Sequence, residues 1–70
     1  MAAITSPQSL GTVLRASRKR LGLTQSDLAL SAGVGLRFVV ELEAGKPTVR
    51  LEQVLRVVAV SYTHLRAHET

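Results

Sequence analysis

Side chains able to do chemistry are few in this chain of 70 residues, and most of them are cations. Lysine and arginine number 9 against 5 acids, giving a net charge of +4 and a pI near 10.8. Arg15, Arg18, Lys19 and Arg20 form one basic run, and Lys46 and Arg50 lie in a second stretch. Such a balance favours a polyanionic partner, because the summed field attracts and orients one. His64 and His68 are spaced i,i+4, which can hold a metal on a helix face, but no third ligand accompanies them. There is no cysteine, hence no disulfide framework and no cysteine-based zinc site. No Ser/His/Asp constellation, no inward pair of carboxylates and no glycine-rich phosphate loop is present. Neither enzymatic activity, a metal nor a cofactor is expected.

The elements that must position these cations are organised around Gln25 to Ala44, QSDLALSAGVGLRFVVELEA. The stretch reads as a helix-turn-helix whose two short helices join at Ala32-Gly33-Val34. Leu28 and Ala29 face inward on the first of them, and Ala29 is small enough for the second helix to cross closely. Gly33 supplies the positive φ of the sharp turn. Val34 plugs the corner, and Val39 and Leu42 form the buried stripe of the second helix. A helix held in this way turns its opposite face to solvent, where it fits a DNA major groove.

Around this pair the chain reads as one small all-α domain with an aliphatic core, since Phe38 and Tyr62 are its only aromatic residues. Seventy residues bury roughly 60% of the unfolded surface, so association with a second copy would help stability. No apolar run reaches the roughly 18 residues of a membrane span, and Met1 to Leu10 lacks the features of a secretion signal, so a cytoplasmic bacterial protein is expected. Residues 1–5 read as a frayed arm. Ser6-Pro7 starts a helix that carries Leu10, Val13, Leu14, Ser17 and Leu21 on one face and stops at Gly22. Thr24 caps the next helix, with Asp27 completing a variant capping box. The third helix runs from about Gly35 to Glu43 and ends at Gly45. Lys46-Pro47-Thr48-Val49 is a turn, and a fourth helix begins near Arg50 with Leu51, Val54, Leu55 and Val58 inward.

Residues 60–70, VSYTHLRAHET, match residue for residue what one frame of a common transposon-based sequencing adaptor encodes. The expected organisation is therefore an arm over 1–5, a domain over 6–59 and an adaptor-derived tail over 60–70, which is kept out of fold reasoning.

Leu14-Arg15-x-x-Arg18, Leu21-Gly22-Leu23-Thr24-Gln25, Leu28-Ala29, Ala32-Gly33-Val34 and Leu42-Glu43-x-Gly45-Lys46 together resemble the Xre/Cro-type helix-turn-helix family. The resemblance covers about Leu10 to Ala59. Arg37 to Glu43 followed by Gly45 to Leu51 looks most like the HipB branch, small antitoxins that bind their own operator and a HipA-type kinase toxin.

The resemblance implies a lambda-repressor-like bundle of four to five helices, binding double-stranded operator DNA as a homodimer and repressing transcription. It implies that Gln25 bonds a phosphate and braces the reading helix, with Ser26 beside it. An open helix N-terminus there would be a natural phosphate seat, although both residues also suit a plain solvated first turn. Gly35, Leu36 and Arg37 open the reading helix. Many relatives carry a polar residue where Gly35 stands, so a cap is lost. Arg37 suits a bidentate contact to guanine or a phosphate clamp, and Leu36 a thymine methyl or sugar. Glu41 is expected to pair with Arg37 one turn away. Glu43 is expected to bridge to Arg18, making Arg18 a brace rather than a DNA ligand. Lys46 and Arg50, and less so Lys19 and Arg20, are candidate phosphate contacts. A rival is a protein-binding module that mainly neutralises a kinase toxin, and another is a stand-alone phage-type repressor.

Overall fold

The computed structural model describes the backbone of residues 6–69 and the side chains of residues 6–61. The expected arm over 1–5 and the side chains of His64 and His68 lie outside the described residues. Four helices follow in order, α1 (Pro7–Arg20), α2 (Gln25–Ala32), α3 (Leu36–Glu43) and α4 (Leu51–Glu69), with no strand among the described residues. None of these helices is long and apolar enough to cross a membrane.

Each helix boundary has a local cause. Ser6 caps α1 reciprocally: its hydroxyl accepts from the Ser9 amide at 3.1 Å, and its own amide donates to Ser9 Oγ at 3.0 Å. Pro7 stands where its missing N–H costs nothing, and Arg18, Lys19 and Arg20 complement the dipole at the other end. Between α2 and α3 the chain reverses at Gly33, which takes φ 71° and ψ 35° as α2's C-cap. A side chain in that left-handed conformation is strained, so glycine is the residue the turn needs. α4 continues without a break through the adaptor-like string to Glu69, so no helix boundary marks residue 60.

The core is aliphatic and drawn from all four helices: Leu14 from α1, Leu28 and Ala29 from α2, Val39 and Leu42 from α3, and Val54 and Val57 from α4. Leu10, Val34 and Phe38 pack against it. One expectation is corrected here. Leu51 and Leu55 do not point inward; they are 70% and 58% exposed, while Val57 is fully buried. The inward row of α4 is Val54, Val57 and Ser61, at the i, i+3, i+7 spacing of a single helix face. Leu55 is about a third of a turn off that row. Leu51 is the first residue of the helix and borders an open recess lined also by Pro7, Leu10, Pro47 and Val54.

Two contacts hold α3 against α1. Gly11 lies where a Cβ would stand 2.5 Å from the Leu42 carbonyl oxygen and 2.8 Å from that of Glu43. The α1 backbone therefore touches the α3 backbone directly, with no room for a methyl group. The second contact is ionic. Arg18 Nε donates to Glu43 Oε2 at 2.6 Å and Nη2 to Oε1 at 3.0 Å, a two-pronged geometry that a planar guanidinium suits. Arg18 Nη1 donates to the Leu23 carbonyl at 2.8 Å, and Gln25 Nε2 to Glu43 Oε1 at 3.2 Å. Both charged side chains are under a tenth exposed. Hydrogen bonding to Glu43, ahead of the opposing cost of burial, holds the Arg18 pKa above its ordinary value. The expected brace is thus present, and it binds α1, the α1–α2 turn, α2 and α3 at one point.

Two measurements check this packing. Gly11→Ala gains about 1 kcal/mol of helix propensity. It nevertheless lowers the unfolding free energy by about 1–3 kcal/mol, because two carbonyl groups must move. A urea midpoint at or above that of the parent contradicts the close approach. Glu43→Gln leaves a buried cation uncompensated and costs about 3–5 kcal/mol, whereas the paired change Arg18→Met with Glu43→Leu recovers most of that loss.

Candidate nucleic-acid interface

α3 buries Val39 and Leu42 and turns Leu36, Arg37, Val40 and Glu41 outward. The Arg37 side chain is 90% exposed, with Nε 3.7 Å from Glu41 Oε2, the i,i+4 pairing expected from the spacing. Lys46 Nζ donates to the same Glu41 oxygen at 3.1 Å, a contact the sequence did not indicate. Exposed pairs of this kind contribute about 0–1 kcal/mol, so a phosphate or a base edge can displace them. Glu41 holds two cations beside the outward face of α3 without fixing either of them strongly.

The two helix starts differ electrically. Gly35 caps α3 with extended backbone but no side-chain hydrogen bond, which leaves the first amides of the helix for solvent or an anion. α2 is different. Thr24 Oγ1 accepts from the Asp27 amide at 3.0 Å, and Asp27 Oδ2 accepts from the Thr24 amide at 3.0 Å. The backbone hydrogen bond from Thr24, reinforced by its side chain, holds the Asp27 carboxyl below its ordinary pKa. The expectation of an uncapped start to α2 is thereby corrected, in agreement with the Thr24–Asp27 box. Its N-terminus is closed by a hydroxyl and carries a carboxylate, leaving the Gln25 and Ser26 amides as first-turn donors.

Gln25 is half-buried and its amide is aimed by Glu43, so it ties α2 to the end of α3. Ser26 and Arg50 are exposed. No ion pair among the described residues joins Arg50 to this group, and its carbonyl accepts from the Val54 amide at the start of α4. Between α1, α2 and α3 a polar recess of about 290 Å³ is lined by Arg15, Arg18, Gln25, Val40, Glu43 and Ala44. Within the brace the charges of Arg18 and Glu43 cancel. Arg15, which is exposed, then supplies the net positive charge of this recess. Sequence reasoning placed Arg15 in the basic run but did not single it out as a contact, although its place three residues before Arg18 puts both on one side of α1. No group of His, Cys, Asp and Glu among the described residues is arranged to hold a metal ion.

The arrangement is an exposed helix face with an uncapped positive end, a cationic surround and a rigid seat. Comparison with known proteins gives two matches. A helix-turn-helix family model matches residues 14–60. A helix-turn-helix-type transcriptional regulator of Sinorhizobium fredii, itself uncharacterised, is 52% identical over 54 residues, covering 77% of this chain and 71% of the relative. Fold, outward face and sequence similarity lead to one conclusion: the chain belongs to the helix-turn-helix family of DNA-binding transcriptional regulators.

Proposed function

We propose that this regulator binds a specific operator as a homodimer and represses transcription, with α3 as the reading helix. The observation that carries the reading is the outward face of α3, uncapped at Gly35 and ringed by Arg37, Lys46 and Arg15. In this reading Gly35 lets the backbone approach DNA closely, while Leu36 and Arg37 meet base edges and Glu41 steers Arg37. Gln25, Ser26, Lys46 and Arg50 contact phosphates; Arg18 and Glu43 keep the helix aimed. One reading helix spans few base pairs, so two copies on half-sites one turn apart supply the needed site length.

At a finer level, the Arg37 to Leu51 stretch supports a place in the HipB branch, an antitoxin that represses its own operon and holds a HipA-like kinase toxin. The exposed leucines Leu51 and Leu55 favour such a second, protein-binding role. The rivals remain a module whose main work is neutralising that toxin and a stand-alone phage-type repressor. A kinase reading frame beside the gene supports the antitoxin reading, and a phage neighbourhood opposes it. Within this proposal residues 60–70 take no part in DNA binding, although Ser61 continues the inward row of α4. Absence of their codons from an independent genomic clone is the expected outcome.

Titrating the protein against DNA from upstream of its own gene, at several salt concentrations, tests the reading. Arg37→Ala relaxes specificity at one base pair by about 1–3 kcal/mol. Lys46→Ala weakens binding to all sequences alike and flattens the salt slope by about one unit. Binding that ignores salt, or none at all, defeats the proposal.

A further inference from the structure

The outward face of α3 carries an apolar row as well as its ion pair. Leu36, Val40 and Ala44 follow one another at i,i+4 spacing, and all are exposed, Leu36 by 47% and Val40 by 43%. Single exposed apolar side chains need no explanation, but an aligned row beside cations is a surface that a partner can cover. The polar groups on this face, Arg37 and Glu41, are paired with each other, and Gly35 has no side chain. The face therefore offers little hydrogen-bonding capacity apart from Arg37. What it offers in quantity is aliphatic carbon within an electropositive surround made by Arg15, Arg37 and Lys46.

In the DNA major groove only thymine presents an apolar group, its C5-methyl. Four residues of helix advance by roughly 6 Å. Stacked bases along one strand are roughly 3.4 Å apart. A pair of side chains at that spacing can therefore meet methyl groups one or two base steps apart. We propose that Leu36 and Val40 form an apolar reader that selects half-sites with neighbouring thymines by burying their C5-methyl groups. The inference rests on the DNA-binding reading given above and adds the chemistry of its specificity. Arg37, on the same face, reads or clamps beside the pair, and the Lys46–Glu41 contact positions the rim.

Selection of duplexes from a random-sequence pool by the full chain supplies the probe, and the winning duplex is then remade with deoxyuridine in place of each thymidine in turn. The exchange keeps base pairing and removes only the methyl group. At the thymines that matter, affinity falls about fourfold per methyl, the equivalent of about 0.8 kcal/mol for one buried carbon. Leu36→Ala abolishes that difference at one position and Val40→Ala at the other; both residues are surface-exposed, so the fold is kept. Salt-dependent binding to the selected duplex with no penalty for deoxyuridine overturns the inference while leaving the DNA-binding reading intact, and assigns the apolar row to a protein partner. A penalty that persists in both variants also overturns it, since the methyl is then felt through DNA shape or another residue. If no duplex is selected, the DNA-binding reading itself fails, and this inference with it.

Discussion

The ion pair between Arg18 and Glu43 fixes the direction of a helix that could not hold itself. α3 is 8 residues long, shorter than an isolated helix needs to persist in water, and its first turn lacks a side-chain cap. Its order must therefore come from what it rests on. Val39 and Leu42 supply burial, but burial is non-directional and would tolerate a sliding or rolling helix. A guanidinium bonded in two places to one carboxylate tolerates little of either. Since Leu23 and Gln25 join the same cluster, the tilt of α3 is set against α1, the first turn and α2 together.

The asymmetry between the starts of α2 and α3 adds an electrostatic layer to this mechanical one. α2 begins at Thr24 with its cap filled and a carboxylate in its first turn, which leaves only the Gln25 and Ser26 amides of that turn as donors. α3 begins at Gly35 with neither. The unspent positive end thus lies on the helix whose outer face is free, and the closed end lies on the helix that serves as its buttress. The cations divide likewise: Arg18 is consumed in the brace, while Arg15, Arg37 and Lys46 remain at the surface.

Much of this was legible in the residues, because local rules and global packing agree through most of the chain. The caps at Ser6 and Thr24, the left-handed Gly33, and the inward Leu14, Leu28, Ala29, Val39 and Leu42 all follow from spacing and turn chemistry. The Arg18–Glu43 brace was expected from family resemblance rather than from spacing, and the geometry agrees. α4 was harder. A run rich in Leu and Val offers several helical stripes of equal hydrophobicity, and only packing chooses Val54 and Val57 over Leu51 and Leu55. Gly11 left a hint in retrospect, since a glycine within a helical pattern costs stability unless a packing reason exists. The reason itself, two carbonyl groups on another helix, lies in tertiary contact that no local pattern encodes. The start of α2 was read both as a capping box and as an open helix end; the box is present and takes the Asp27 amide, which leaves those of Gln25 and Ser26 as donors.

Gly11 also bears on how such a domain can change. Where α1 meets α3 the spacing is set by backbone touching backbone, with the brace beside it, so the outward side chains of α3 contribute little to the seat. Seat and face are thus nearly separate problems for the sequence. Leu36, Arg37, Val40 and Glu41 can be exchanged as a set without re-docking the helix, so the displayed face can change without passing through unfolded intermediates. A small core with one methyl-sized prohibition is in this sense a socket, and the residues it displays are interchangeable.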